Sequence, residues 1–153
     1  MDNQIVVFEV DSEEFGVNIA AVESIIKMQA ITHMPQAPAF VEGVTNLRGK
    51  LLLVIDLRKQ LRLPPKEADT SSGIIVVGVD QTQVGMIVDG VSEVLTVSEQ
   101  IVESAPALAT TVDSAFITGI AKLDGRLVIL LDLNRVFSNQ EQADLSILQV
   151  QPD

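Results

Sequence analysis

Residues 43–61, GVTNLRGKLLLVIDLRKQL, recur at residues 119–137 as GIAKLDGRLVILLDLNRVF. Gly43 falls on Gly119, Leu47 on Leu123, Gly49 on Gly125, Leu51 on Leu127, Asp56 on Asp132 and Leu57 on Leu133. Most remaining pairs exchange apolar for apolar or basic for basic. At a slightly different offset, residues 5–26 lie over 74–95, setting Val10-Asp11 on Val79-Asp80, Gly16 on Gly85 and Val22 on Val91. Two copies of one unit must fold alike, and whatever differs between them is where function is to be sought.

The unit has to be built from aliphatic residues. Of 153 residues, 47% are apolar, yet Trp and Tyr are absent and only five are Phe, so Val, Ile and Leu make the core and favour strands. The length suits one domain, or two small subdomains sharing a core. With no Cys, disulfides, thiol catalysis and Cys-based metal sites are excluded. The net charge is −11, and no Lys or Arg lies between Glu67 and Ala121. Such an acidic second half excludes a nucleic-acid footprint and disfavours anionic membranes. The N-terminus MDNQIVVFEV has no basic leader, and no apolar run reaches membrane-spanning length, so a soluble cytoplasmic protein is expected.

Along the chain, strands are predicted at 4–10, 15–19 and 22–28, with Gly16 marking a bulge or a close approach of backbones. Pro38 opens one predicted helical turn over 38–41. VTNL (44–47) and KLLLVID (50–56) flank Arg48-Gly49, and Asp56 is expected to cap a short helix. PPKEADTSSG (64–73) reads as the linker. The plan then repeats over 74–79, 84–89, 91–97, 117–122 and 127–131, with a cap at Asp132. A terminal amphipathic helix is expected over about 138–150, with Leu145 and Leu148 facing inward. About five short strands per half suit two small barrels, one spanning about 4–65 and the other about 72–137, with exchange of strands between them left open.

The copies part at one turn. Asp124-Gly125 is a strong signal for a two-residue type I′ hairpin turn; the same place in the first copy holds Arg48-Gly49. A left-handed Arg costs on the order of 1 kcal/mol, a cost that vanishes if the turn is type II, with Gly49 alone at positive φ. Neither geometry explains why the side chain is Arg. A guanidinium at a hairpin tip offers five donors in a planar fork, suited to a carboxylate or to backbone carbonyls.

MPQAPAFVEGVTNLRGKLLLVIDLRKQL (34–61), VGMIVDGVSEVL (84–95) and GIAKLDGRLVILLDL together resemble the CheW family of bacterial chemotaxis adaptors, over about Gln4 to Phe137. The resemblance implies a mainly β fold of two intertwined five-stranded SH3-like barrels. It also implies a non-enzymatic scaffold, without cofactor, metal or small-molecule substrate. Its partners would be the cytoplasmic tip of methyl-accepting chemoreceptors and the regulatory domain of the chemotaxis histidine kinase. The motif arginine falls on Arg48, completed by Asn46, Leu47 and Gly49, and the partner-binding valine on Val22. The glutamate often found two residues after that valine is Ser24 here, with Glu23 beside it. Asp89 and Gly90 are expected to serve a turn, with Gly43 and Gly125 as further turn positions.

Two readings compete. An enzyme finds little support: His33 is the only histidine, without triad order or HExxH spacing, and helix capping accounts for Asp56 and Asp132. A CheW-like adaptor of a pilus-motility or other chemosensory pathway would share the fold. The cluster Arg58, Lys59, Arg62 and Lys66 is read as the solvated face of a short helix in preference to a docking patch.

Overall fold

A computed structural model of the chain describes residues 2–35, 37–64, 66–67, 69–79, 82–98, 102–103, 114–123 and 125–148. The first half contributes β1 (Asp2–Val10), β2 (Glu13–Asn18), β3 (Val22–Lys27), β4 (Val41–Leu47) and β5 (Lys50–Asp56), then the short helix α1 (Leu57–Gln60). The second half contributes β6 (Gly73–Val79), β7 (Thr82–Val88), β8 (Gly90–Ser98), β9 (Val102–Glu103), β10 (Ile117–Leu123) and β11 (Arg126–Leu131). Helices α2 (Leu133–Val136) and α3 (Asn139–Leu148) close the described chain. Asp56 and Asp132 each accept the backbone N–H two residues on, at 3.0 and 2.9 Å, so both helices start at the same place in the repeat. The segment at Pro38 forms the single turn expected over 38–41, closed by the Val41 N–H on the Pro38 carbonyl at 3.0 Å. Residues 104–113, with Pro106, and Asp124 lie outside the described residues.

The sheets do not follow the halves of the sequence. One runs β8-β1-β2-β11-β10-β9 and the other β3-β6-β7-β5-β4, so each half lends its first hairpin to the sheet of the other. The pairings repeat residue for residue. Leu53 lies beside Val84 in the parallel β5–β7 pair, as Ile129 lies beside Phe15 in β11–β2. Ser24 faces Val76 across β3–β6, as Glu93 faces Val7 across β8–β1.

Each sheet curls back on itself at an equivalent point. Thr32 exchanges two backbone hydrogen bonds with Val44 of β4 (2.8 and 2.9 Å), joining the end of the β3 segment to the far edge strand. In the second sheet β9 does the same, Glu103 pairing with Ile120, the repeat equivalent of Val44. This closure is what makes each sheet barrel-like and leaves no long free edge among the described strands. It also explains Gly43, which lies within β4 and not at the turn expected of it. A Cβ there would stand 2.1 Å from the Thr32 carbonyl oxygen, so only glycine lets the two backbones meet.

Packing follows the same plan. Ile5, Val7, Val97, Ala121 and Val128 fill one barrel, while Leu52, Ile74 and Val76 fill the other; Ile5 and Ile74, Val7 and Val76, and Val128 and Leu52 are repeat equivalents. The largest cluster takes side chains from both sheets, among them Phe8, Phe15, Ile55, Met86 and Phe137, and Leu145 of α3 is fully buried in it. The side chain of Leu148 is outside the described set.

Candidate functional site

Leu47 and Lys50 pair directly, leaving a two-residue loop between β4 and β5. Both loop residues are left-handed, Arg48 at φ +53° and Gly49 at φ +85°, so the turn is type I′ and the type II alternative does not hold. Asn46 supports it: its Oδ1 accepts the Gly49 N–H at 2.9 Å. Arg48 therefore sits at a strained position, exposed, with no hydrogen bond or ion pair to any described residue. Arg48→Asn should raise the unfolding free energy by about 0.5–1 kcal/mol, since Asn tolerates this conformation; urea denaturation would measure it. A residue that costs stability and bonds to no described part of its own chain is placed for something outside it.

Val22 begins β3, half-buried against the main core, and pairs with Val77 of β6. Val22 and Arg48 thus belong to one sheet, on its β3 side and at its β4–β5 hairpin respectively. Gly16 is packed close on three sides, its added Cβ coming 3.0 Å from Ile5 and 3.1 Å from Val128; these are side-chain atoms, not the close approach of backbones expected of it. Gly90 departs from expectation. It has no left-handed torsion, and a Cβ would have 3.7 Å of clearance to its nearest neighbour, so the bend there does not require glycine.

Asp89 does much more than bond a nearby amide. Its carboxylate takes Arg58 Nε at 3.1 Å and Nη2 at 2.6 Å in a two-point grip, and accepts the Asp11 N–H at 2.9 Å. Arg58 Nη1 also reaches Asp11 Oδ1 at 3.3 Å and the Pro64 carbonyl. Asp11 and Ser12 form another left-handed turn, at φ +54° and +66°, and the pair of charges holds it in place. Arg58 is only 6% exposed, which corrects the expectation of a solvated basic face. Lys59 is paired with Glu42 and Lys66 with Asp69, so the cluster is spent within the chain apart from Arg62. Arg62 itself serves the backbone: at φ +60° it ends α1, with the Leu63 N–H on the Arg58 carbonyl at 2.9 Å.

The ionic lock has no counterpart in the other copy. Arg58 is replaced by Asn134 in the second copy, and the position equivalent to Asp89 is Ala20 in the first. Where the lock is missing, a groove of about 500 Å³ is lined by Ile5, Val17, Ala21, Val97, Leu130 and Leu133 together with Asn18, Thr118, Asp132 and Asn134. The matching hollow around Arg58 is lined by Glu42, Asp56, Lys59 and Asp89. Burial pushes the Asp56 carboxyl above its ordinary range there, against the opposing hydrogen bond from the Arg58 N–H. One duplicated hollow carries a charged brace, and the other has a single charged residue, Asp132, in its lining.

His33 is exposed, Asp56 and Asp132 cap separate helices, and no three His, Asp or Glu side chains in the described set could jointly hold a metal ion. No helix among the described residues is long and apolar enough to cross a membrane.

Comparison with known proteins places this arrangement. A family profile described as CheW-like domain matches residues 4–141. The chain is 36% identical over 140 residues to the probable chemotaxis protein CheW of Rhizobium etli, covering 92% of this chain and 90% of that protein. It is 37% identical over 139 residues to the chemotaxis protein CheW of Rhizobium meliloti, covering 91% and 90%. In three dimensions it superposes on the scaffolding protein TtCheW of Thermoanaerobacter tengcongensis with a TM-score of 0.80 at 39% identity, over 90% of this chain and 89% of the other.

Proposed function

The chain belongs to the CheW-like family, and from that premise we propose that it is a non-enzymatic adaptor coupling methyl-accepting chemoreceptors to the chemotaxis histidine kinase. It would act in the cytoplasm and be recruited to receptor assemblies at the membrane. The observation that carries the reading is the asymmetry of a duplicated fold. The two copies keep the same registers and core, yet only the first places an arginine on its hairpin tip, where no described residue pairs with it. Of the two equivalent hollows, one carries the Arg58–Asp89 brace and the other has Asp132 as the single charged residue of its lining. Two unlike surfaces on one rigid body are what a bridge between two partners needs.

Arg48, with Asn46, Leu47 and Gly49 shaping its turn, is assigned to the receptor arm, and Val22 to partner binding on the same sheet. A groove with apolar residues beside neutral polar ones and one carboxylate suits an amphipathic helix laid along it. The energy of such interactions comes from a few apolar anchors, while charges at the rim set the register.

The test is co-elution of the purified chain with a chemoreceptor cytoplasmic hairpin and with the kinase regulatory domain, separately and together. The wild-type chain should bind both. Arg48→Glu should keep its unfolding midpoint while receptor affinity falls about tenfold, the scale expected for removing a single charge pair. Asp124→Arg in the second copy should leave both affinities within about twofold. If Arg48→Glu couples normally, the arginine has been misassigned; if the wild type binds neither cognate partner, the adaptor reading fails.

A further inference from the structure

The two barrels expose the same apolar residues and differ in charge. Ile25 and its equivalent Val94 are 44% and 49% exposed; Leu51 and its equivalent Leu127 are 49% and 51% exposed. Beside Leu127 the charge is satisfied internally. Arg126 donates from Nε to Glu14 Oε1 at 3.2 Å and from Nη1 to Glu93 Oε1 at 2.8 Å, and its Nη2 is paired with Glu14. The repeat puts Lys50 in the place of Arg126, Gln83 in that of Glu14 and Ser24 in that of Glu93. The strand registers around these positions are the same in both sheets, so the cation of the first copy meets an amide and a hydroxyl where the second meets two carboxylates. Lys50 and Arg48 form no ion pair with any described residue, and neighbouring Glu23 does not supply one.

We propose that Lys50 and Arg48 form a two-cation seat for a pair of carboxylates presented by the receptor hairpin, which take the places that Glu14 and Glu93 hold in the second barrel. The apolar flank formed by Leu51 and Ile25 is common to both barrels and cannot tell them apart. Charge does, because a carboxylate-bearing surface that covers Leu51 finds two cations that no described residue pairs, whereas the same surface over Leu127 meets Glu14, Glu93 and an arginine already paired. Specificity here lies in the repulsion at the wrong barrel as much as in the attraction at the right one. Lys50 and Ser24 become specificity-determining residues, and the serine where the second copy has Glu93 acquires a reason: it leaves the cations to the partner. This rests on the adaptor reading and gives the chemistry of its receptor arm.

The test puts the second barrel's solution into the first. The full chain carrying Ser24→Glu and Gln83→Glu is titrated with the receptor hairpin and, separately, with the kinase regulatory domain, at low and at physiological salt. Receptor affinity should fall at least tenfold and lose most of its salt dependence, with kinase affinity unchanged. Lys50→Gln, an exposed change that leaves the fold alone, should cost about threefold in the same arm. Full receptor affinity and unchanged salt dependence in both variants would overturn the proposal while the wild type, still binding both partners, upholds the adaptor. Loss confined to the kinase arm would overturn it too, since the seat would then belong to the other partner. A wild type that binds neither removes the adaptor reading and this proposal with it.

Discussion

Replacing Arg58 with Met should destabilise the protein by about 3–5 kcal/mol, the cost of leaving a buried charge without its partner. For a domain of this size that lowers the melting temperature by roughly 10 °C. The side chain is 7% exposed, and its removal strands Asp89 together with the left-handed turn at Asp11-Ser12. Asp11 contributes less, being 41% exposed at its end of the pair. The pH profile carries a second signature. Burial works to raise the Asp89 carboxyl, but the Arg58 hydrogen bonds and the Asp11 amide outweigh it and hold the group below its ordinary value of 3.8. A carboxyl depressed in the folded state contributes stability that is present above its unfolded pKa and lost as pH falls through the folded one. The wild type should therefore lose stability on acidification below about pH 4. Arg58→Met should show a shallower loss over the same range. Urea melts of both proteins across that range would check it, and equal slopes would show that the pair is not what Asp89 senses.

The second large effect belongs to Gly43. An alanine there would drive its methyl to 2.1 Å from the Thr32 carbonyl, so the bridge that closes the first sheet must give way. Losing both backbone hydrogen bonds and opening the seam should cost about 3 kcal/mol, with amide exchange quickening first at Thr32 and Val44. Gly78→Ala is the control. No heavy atom lies within 4 Å of its added Cβ and its torsion is ordinary, so stability should hold or rise by up to about 1 kcal/mol. If Gly43→Ala melted like the wild type, the closure of the barrel would not depend on that close approach.

How much of this was legible from residues alone divides along a physical line. Local signals were. Strand periodicity, the two aspartate caps and the inward Leu145 are properties of short windows, and each is where the pattern puts it. The duplication was legible because it lies in the order of residues. Pairings between distant segments were not. Nothing within β1 and β2 says that they join β8 and β11 in preference to their sequence neighbours, because an apolar strand buried on both faces fits many partners. The same blindness hid the Arg58–Asp89 lock, whose members stand 31 residues apart, and made an exposed basic cluster of what is partly a buried brace. The Arg126 network could have been anticipated: the repeat pairs Lys50 with Arg126 and Ser24 with Glu93, and comparing their neighbours shows a cation balanced in one copy only. At Arg48 the residue order located the anomaly, but its torsion was beyond reach, since Arg-Gly fits two turn types.

The trading of first hairpins between the halves has a consequence for how the molecule comes into being. On a ribosome, β1 and β2 emerge first and have no sheet to join until β8, β10 and β11 follow, so the earliest apolar strands wait longest for their partners. The first three-strand set must likewise wait for β6 and β7. Neither half is a way station that can be completed and left behind, and a break in synthesis after the linker would release two unfinished sheets together with their exposed edges. Such a chain commits late and all at once. In return, its two dissimilar faces are bound into a single body that cannot loosen on one side while the other stays engaged.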